Sequence, residues 1–213
     1  YYRLLKKSDA LKEIHFPTSQ KKLSQAQMRL KFEELTYIQL QLILKNLERK
    51  RKIKGFLFSE IGSLLNNFYN HELPYQLTSA QKRVIREIRE DMGSGRQMNR
   101  LLQGDVGSGK TIVALFAILI AIENNYQTCF VAPTEILAQQ HFASLQELLS
   151  NSSVNLKILT GSTKVKDRKI INQELENGKL SILIGTHAVF EENVIFKNLG
   201  LAIIDEQHRF GVA

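Results

Sequence analysis

The run Gly104-Asp105-Val106-Gly107-Ser108-Gly109-Lys110-Thr111 constrains this 213-residue chain more than any other stretch. It matches G-x-x-x-x-G-K-[ST], with the short apolar run Leu101-Leu102, read as a strand, before it and the apolar helical run Ile112 to Ile122 after it. Glycines let the backbone curl so that successive N–H groups point inward at phosphate oxygens, and the helix N-terminus adds its partial positive charge. Lys110 is then placed to reach the β and γ phosphates, and Thr111 to offer its hydroxyl to Mg²⁺. A glycine-rich turn with no ligand is the bland alternative, and the flanking strand and helix weigh against it.

The elements around this loop alternate. Apolar runs at Leu101-Leu102, Thr128 to Ala132, Leu156 to Leu159, Ile182 to Ile184 and Leu201 to Ile204 are separated by helical stretches near 81–92, 110–123, 135–149 and 166–177. Strands alternating with helices imply an α/β fold, a parallel sheet flanked by helices on both faces. The last strand ends in Asp205-Glu206, which puts two carboxylates at the C-terminal edge of the sheet, where open α/β folds bind ligands. Asp205 would hold magnesium through water, and Glu206 would orient and deprotonate the attacking water. Alone, such a pair is commonly a solvated turn; with a phosphate loop about a hundred residues upstream it defines a nucleoside triphosphatase site with ATP and Mg²⁺ as cofactors.

The front of the chain reads differently. Ser24 as N-cap and Gln27 closing a capping box mark a helix start, and Met28, Phe32, Leu35, Leu40, Ile43, Leu44 and Leu47 recur at helical spacing. The helix is expected to end at Arg49-Lys50-Arg51-Lys52, where cations favour a helix C-terminus. A short helical stretch over Ser59 to Tyr69 follows, and Leu73-Pro74-Tyr75 reads as a hinge. This divides the chain into a basic helical segment, 1–72, and an ATP-binding domain, 73–213.

Charge supports the division. Residues 1–54 hold 14 Lys/Arg and 5 Asp/Glu, a net of +9 against +8 for the whole chain. Such a segment can attract nucleic acid by counterion release, although charge alone favours the plainer reading of a solvated helix face. The single cysteine, Cys129, lies in an apolar strand and reads as a buried thiol. Five scattered histidines and one cysteine offer no zinc spacing. No apolar run is long enough to cross a bilayer, so a soluble cytoplasmic protein without a membrane partner is expected.

Four words narrow the class further: Gln76-Leu77-Thr78-Ser79-Ala80-Gln81, the stretch Leu101 to Thr111, Ala132-Pro133-Thr134-Glu135-Ile136-Leu137-Ala138 and Asp205-Glu206-Gln207-His208-Arg209-Phe210-Gly211-Val212. Together they resemble the RecG family of DNA branch-migration helicases, closely over 73–213 and more loosely before it. The resemblance implies a RecA-like first motor lobe, preceded by a helical linker, in an ATP-driven translocase acting on double-stranded and branched DNA. It implies that Gln81 contacts adenine, while Thr78-x-x-Gln81 is also a capping box that would close a helix start. It implies DNA-backbone contacts from Pro133, Thr134 and Glu135, from Thr160, Gly161 and Ser162, and from Gly185, Thr186 and His187, contacts that position DNA without reading its sequence. His208 would couple the nucleotide site to these loops.

The same resemblance implies parts beyond this chain: a second lobe supplying an arginine to the transition state, a DNA-wedge domain upstream, and a strand after the Asp-Glu strand, without which the sheet has a gap or an incomplete edge. The chain is therefore expected to be a piece of a longer protein, binding ATP but hydrolysing it slowly. Two other readings stay open: the related motor of a transcription-repair coupling translocase, which differs around Ser108 and Gln207-His208, and a passive nucleotide- and DNA-binding module.

Overall fold

The computed structural model describes residues 4–207, apart from the side chains of 49–52. The basic cluster Arg49 to Lys52, and His208 to Val212 at the other end, therefore lie outside what can be described of side chains. The chain divides into two compact units, Tyr1–Lys54 and Gly55–Ala213. The second unit thus begins ahead of the expected boundary at residue 73. Residues 55–72 belong to it because Phe58 and Phe68 are buried in its core, Phe68 edge-on to Phe116.

The first unit is a helical hairpin, α1 (Lys7–His15) and α2 (Gln20–Lys52). Helix α1 had no sequence signal, since Lys6 at its N-cap makes no side-chain cap. It exists through packing: Ala10 on α1 and Ala26 on α2 are both fully buried, the small side chains that let two helices approach. Lys7 pairs with Glu33, Lys22 with Glu13 at 3.2 Å, and Arg29 reaches the Leu5 carbonyl at 3.1 Å. Ser24 does not start α2. The helix begins at Gln20, with the Lys22 amide donating to Ser19 Oγ at 3.3 Å. No glycine or proline interrupts residues 20–52, so once started after Pro17 the helix runs through Ser24.

The second unit holds α3 (Ser63–Asn67), continued by a π-helical turn over Phe68–Glu72, then α4 (Ser79–Met92), α5 (Lys110–Glu123), β1 (Gln127–Val131), α6 (Glu135–Leu148), β2 (Leu156–Leu159), α7 (Val165–Asn177), β3 (Ile182–Gly185), a 3₁₀ turn (His187–Phe190) and β4 (Leu199–Ile204). The four strands form one parallel sheet in the order β2-β3-β1-β4. Side chains alternate across it as strand geometry requires. Phe130, Ile182, Ile184 and Leu201 face a layer built by α4, α5 and α6, while Cys129, Val131, Leu159 and Leu183 face α7 and the 3₁₀ turn. Helix α5 is apolar almost all round and buried almost all round, which makes the element behind the phosphate loop the centre of the core. Burial pushes the Cys129 thiol up to about 12, in keeping with a packing role.

The expected strand at Leu101-Leu102 does not form: Leu101 is 77% exposed and neither residue joins the sheet. A strand exists only by pairing, and β4 pairs with β1 alone among the described residues.

Candidate nucleotide and DNA-contact site

Helix α5 starts from Gly109, whose φ of 81° lies in the left-handed region, as does Gly107 at 78°. Only glycine adopts this freely. The two positions differ in surroundings: a Cβ at Gly107 would meet nothing within 4 Å, whereas one at Gly109 would fall 2.3 Å from Gln81 Nε2. The turn is closed by Ser108 N donating to the Asp105 carbonyl at 3.2 Å, with Val106 at its tip fully exposed. Lys110 Nζ folds back on the loop, donating to the carbonyls of Gly104 at 2.8 Å and Asp105 at 2.9 Å. Thr111 follows in the first turn, where helix amides lack intrahelical partners.

Gln81 lies against this loop. The capping box expected of Thr78 and Gln81 is present: Gln81 N donates to Thr78 Oγ1 at 3.2 Å, and Thr78 N to Gln81 Oε1 at 2.9 Å. The amide nitrogen of the same side chain donates to the Ser108 carbonyl at 3.0 Å. Gln81 therefore starts α4 and braces the phosphate loop at once, and its –NH₂ has a second hydrogen still to give.

The acidic half sits at the end of β4. Asp205 N donates to the Val131 carbonyl at 2.8 Å, and Asp205 Oδ2 lies 2.8 Å from His141 Nε2 on α6. Glu206 has φ 48°, a left-handed conformation that an L side chain adopts at a cost of about 1–2 kcal/mol. Among the described residues no group of three or more His, Cys, Asp or Glu converges on a metal position. The Thr111 hydroxyl and the Asp205 carboxylate are hard oxygen donors, few in number, which suits Mg²⁺ completed by phosphate oxygens and water.

The three loops expected to face DNA follow β1, β2 and β3, all at the sheet edge that also carries Asp205. Thr134 caps α6, accepting from Leu137 N at 3.3 Å, with Pro133 half-buried before it. Glu135 turns its carboxylate to the next loop, accepting from Ser162 N at 3.0 Å and Ser162 Oγ at 2.9 Å. Ser162's hydroxyl, then its amide, hold the Glu135 carboxyl below its ordinary range. An ionised carboxylate so engaged braces a loop and would repel a phosphate. Thr160 is buried, and Arg168 donates to its carbonyl at 2.7 Å, to the Thr163 carbonyl at 3.1 Å and to Glu191 at 2.7 Å. Gly161, Ser162 and His187 are exposed. Thr186 is only 2% exposed, its hydroxyl without a hydrogen-bond partner, so its side chain does not present to the surface. Gly185 is required by close packing, since a Cβ there would lie 2.2 Å from the Leu159 carbonyl oxygen.

His141 and Arg168 are the members of this arrangement that the sequence did not announce. Each sits in an ordinary helical pattern, and each meets its partner across 23 to 64 residues of chain.

Residues 78–213 match the DEAD/DEAH box helicase family, and the chain belongs to that family. Its relatives there are ATP-dependent DNA helicases RecG. The protein from Synechocystis is 46% identical over 211 residues, 99% of this chain and 25% of the relative, and that from Thermotoga maritima is 46% identical over 210 residues, 99% of this chain and 27% of the relative. A solved structure of RecG bound to a three-way DNA junction superimposes with a TM-score of 0.85 at 45% identity, covering 99% of this chain and 29% of the other. The chain thus spans about a quarter to a third of the length of the relatives it matches. The expected family and the α/β fold with a helical front segment are both met.

Proposed function

We propose that this chain is the ATP-binding part of a RecG-type helicase that uses ATP hydrolysis to move on and remodel branched DNA, forks and junctions, in recombination and repair. The observation that carries the reading is that the Asp205-Glu206 pair and the loops after β1, β2 and β3 share one edge of one parallel sheet, while helix α5, which starts at the phosphate loop, packs on β1 and β4 of the same sheet. The RecG relatives favour this over the transcription-repair motor.

The residues divide the work as follows. The loop Gly104, Asp105, Val106, Gly107, Ser108 and Gly109 wraps the phosphates with its amides, and Lys110 exchanges the Gly104 and Asp105 carbonyls for the β and γ phosphate oxygens. Gln81 offers its remaining N–H to the adenine while holding the loop through Ser108. Thr111 and Asp205 would hold Mg²⁺, which supplies charge neutralisation on the phosphates when bound. Glu206 orients the attacking water and takes its proton. Thr134, Gly161, Ser162 and His187 face the DNA backbone, with Pro133, Glu135, Thr160 and Thr186 shaping those loops. His208 links the two halves. An arginine supplied by a second lobe would add about 10³ to 10⁵ in rate where such fingers operate.

The test is made in the complete protein. Lys110→Ala is expected to lose ATP binding and turnover, and Glu206→Gln to bind ATP without hydrolysing it, both read by nucleotide binding and by ATPase with and without forked DNA. Full turnover in either variant would contradict the assignment.

A further inference from the structure

Helix α6 joins two parts of the proposed site that the sequence keeps apart. Its N-cap, Thr134, stands in the first DNA-facing loop. His141, seven residues on and so about 10 Å along the axis, reaches the acidic pair. The His141 and Asp205 side chains are 14% and 25% exposed, and the imidazole packs on Phe130 with ring centroids 4.6 Å apart. An ionised carboxylate only accepts, so Nε2 carries the proton in the 2.8 Å bond to Oδ2. That bond fixes the carboxylate's rotation, and Oδ1 is the oxygen left for an ion. The Asp205 backbone is tied separately to β1 through Val131. At the N-terminus of α6, next to Thr134, Glu135 grips Ser162 of the second loop. A rigid helix therefore touches Asp205 with one residue and the DNA-facing loops with two.

The geometry points to His141 as a positioning residue that sets the Asp205 carboxylate for the magnesium–nucleotide complex and, through α6, makes that setting respond to DNA engaged at Thr134 and Ser162. This rests on the ATPase reading above. His141 touches neither nucleotide nor DNA in this scheme, and its effect passes wholly through Asp205. Groups that orient a metal-binding side chain cost about 10-fold to 100-fold in metal affinity or activity when removed.

The experiment uses the complete protein and two substitutions. His141→Phe keeps a ring on Phe130 and removes the donor; His141→Gln returns an N–H near the reach of Nε2. A fluorescent ATP analogue is titrated with Mg²⁺ and in EDTA, and ATPase is measured with and without forked DNA. For His141→Phe the Mg²⁺ concentration at half-maximal analogue binding rises about 10-fold or more, and DNA-stimulated kcat falls by a similar factor. Binding in EDTA and the KM for ATP at saturating Mg²⁺ stay within about twofold, and His141→Gln recovers most of both losses. Parental Mg²⁺ dependence and kcat in His141→Phe would overturn the inference. So would equal damage in the Gln and Phe variants with binding in EDTA lost as well, which marks a packing role. If His141→Phe does not fold, His141→Leu replaces it with the same outcomes. Lys110→Ala, run alongside, separates the two levels: if it abolishes turnover while His141→Phe behaves as the parent, His141 alone is misassigned, and if it keeps turnover the ATPase reading falls.

Discussion

Gly107 and Gly109 offer a controlled comparison within one loop. Both have a left-handed φ, 78° and 81°, so an alanine at either costs about 1–2 kcal/mol in backbone strain. They differ in what the new methyl meets. At 107 it meets nothing within 4 Å, while at 109 it falls 2.3 Å from Gln81 Nε2, closer than any carbon can lie. The amide must then leave the Ser108 carbonyl, and a hydrogen bond of this kind contributes about 1 kcal/mol net. Gly107→Ala should therefore destabilise by about 1–2 kcal/mol and Gly109→Ala by about 2–3 kcal/mol. In a Gln81→Ala background, which removes the obstructing amide, the Gly109→Ala penalty should shrink to that of Gly107→Ala, a coupling of about 1 kcal/mol. Urea unfolding followed by circular dichroism reads the stabilities of the parent and the four variants, and fluorescent ATP-analogue binding reads the loop. Equal penalties at 107 and 109, or a Gly109→Ala penalty unchanged by Gln81→Ala, would refute the claim that Gln81 braces the phosphate loop.

Two further outcomes follow from the site. Glu206→Ala and Glu206→Gly remove the same carboxylate, but only glycine relieves the positive φ; after its own entropy cost the glycine variant should be up to about 1 kcal/mol more stable than the alanine one in urea, with both unable to turn over ATP. The Glu135 carboxyl is held below its ordinary value of 4.5 by Ser162, so its brace is fully present above that pH and is lost as pH falls through the lower folded value; the Ser162 amide should lose exchange protection in that acid window, and Glu135→Ala should abolish the step.

Local chemistry made the phosphate loop, α4 and α5 legible in the sequence. Glycine spacing, the Thr78-Gln81 pair and an uninterrupted apolar run each act within a few residues, and the structure starts these helices where those signals stand. The strands were legible as short apolar runs between helices, although Leu101-Leu102 shows the limit, because pairing is decided by a neighbour and not by the strand itself. Helix α1 was invisible for a related reason: it lacks a capping side chain and is held by packing against α2, where Ala10 and Ala26 are both fully buried. The second unit begins at residue 55 because Phe58 and Phe68 are core anchors only once Tyr126 and Phe116 are present to receive them. In the site, sequence reasoning found the groups expected to touch nucleotide and missed those that hold them. The bond between His141 and Asp205 spans 64 residues, and nothing about a histidine in the middle of a helix points to a carboxylate that far along the chain.

Among the described residues, the strand that delivers Asp205 is also the last strand of the sheet. Leu199-Gly200-Leu201-Ala202-Ile203-Ile204 has neither charge nor proline, pairs on one side with β1, and meets no strand on the other among the described residues. Leu199 and Ile204 are open to solvent. An apolar edge can template the edge of another molecule; β4 carries no lysine or proline, and its safeguard is the bulge at Gly200, where the register with β1 shifts between Gln127 and Thr128. Here a cation placed at Ile204 would stand beside the carboxylate meant for magnesium, so the ordinary protection against aggregation conflicts with the chemistry. Because Asp205 directly follows this strand, any segment laid along the other side of β4 would end beside the acidic pair.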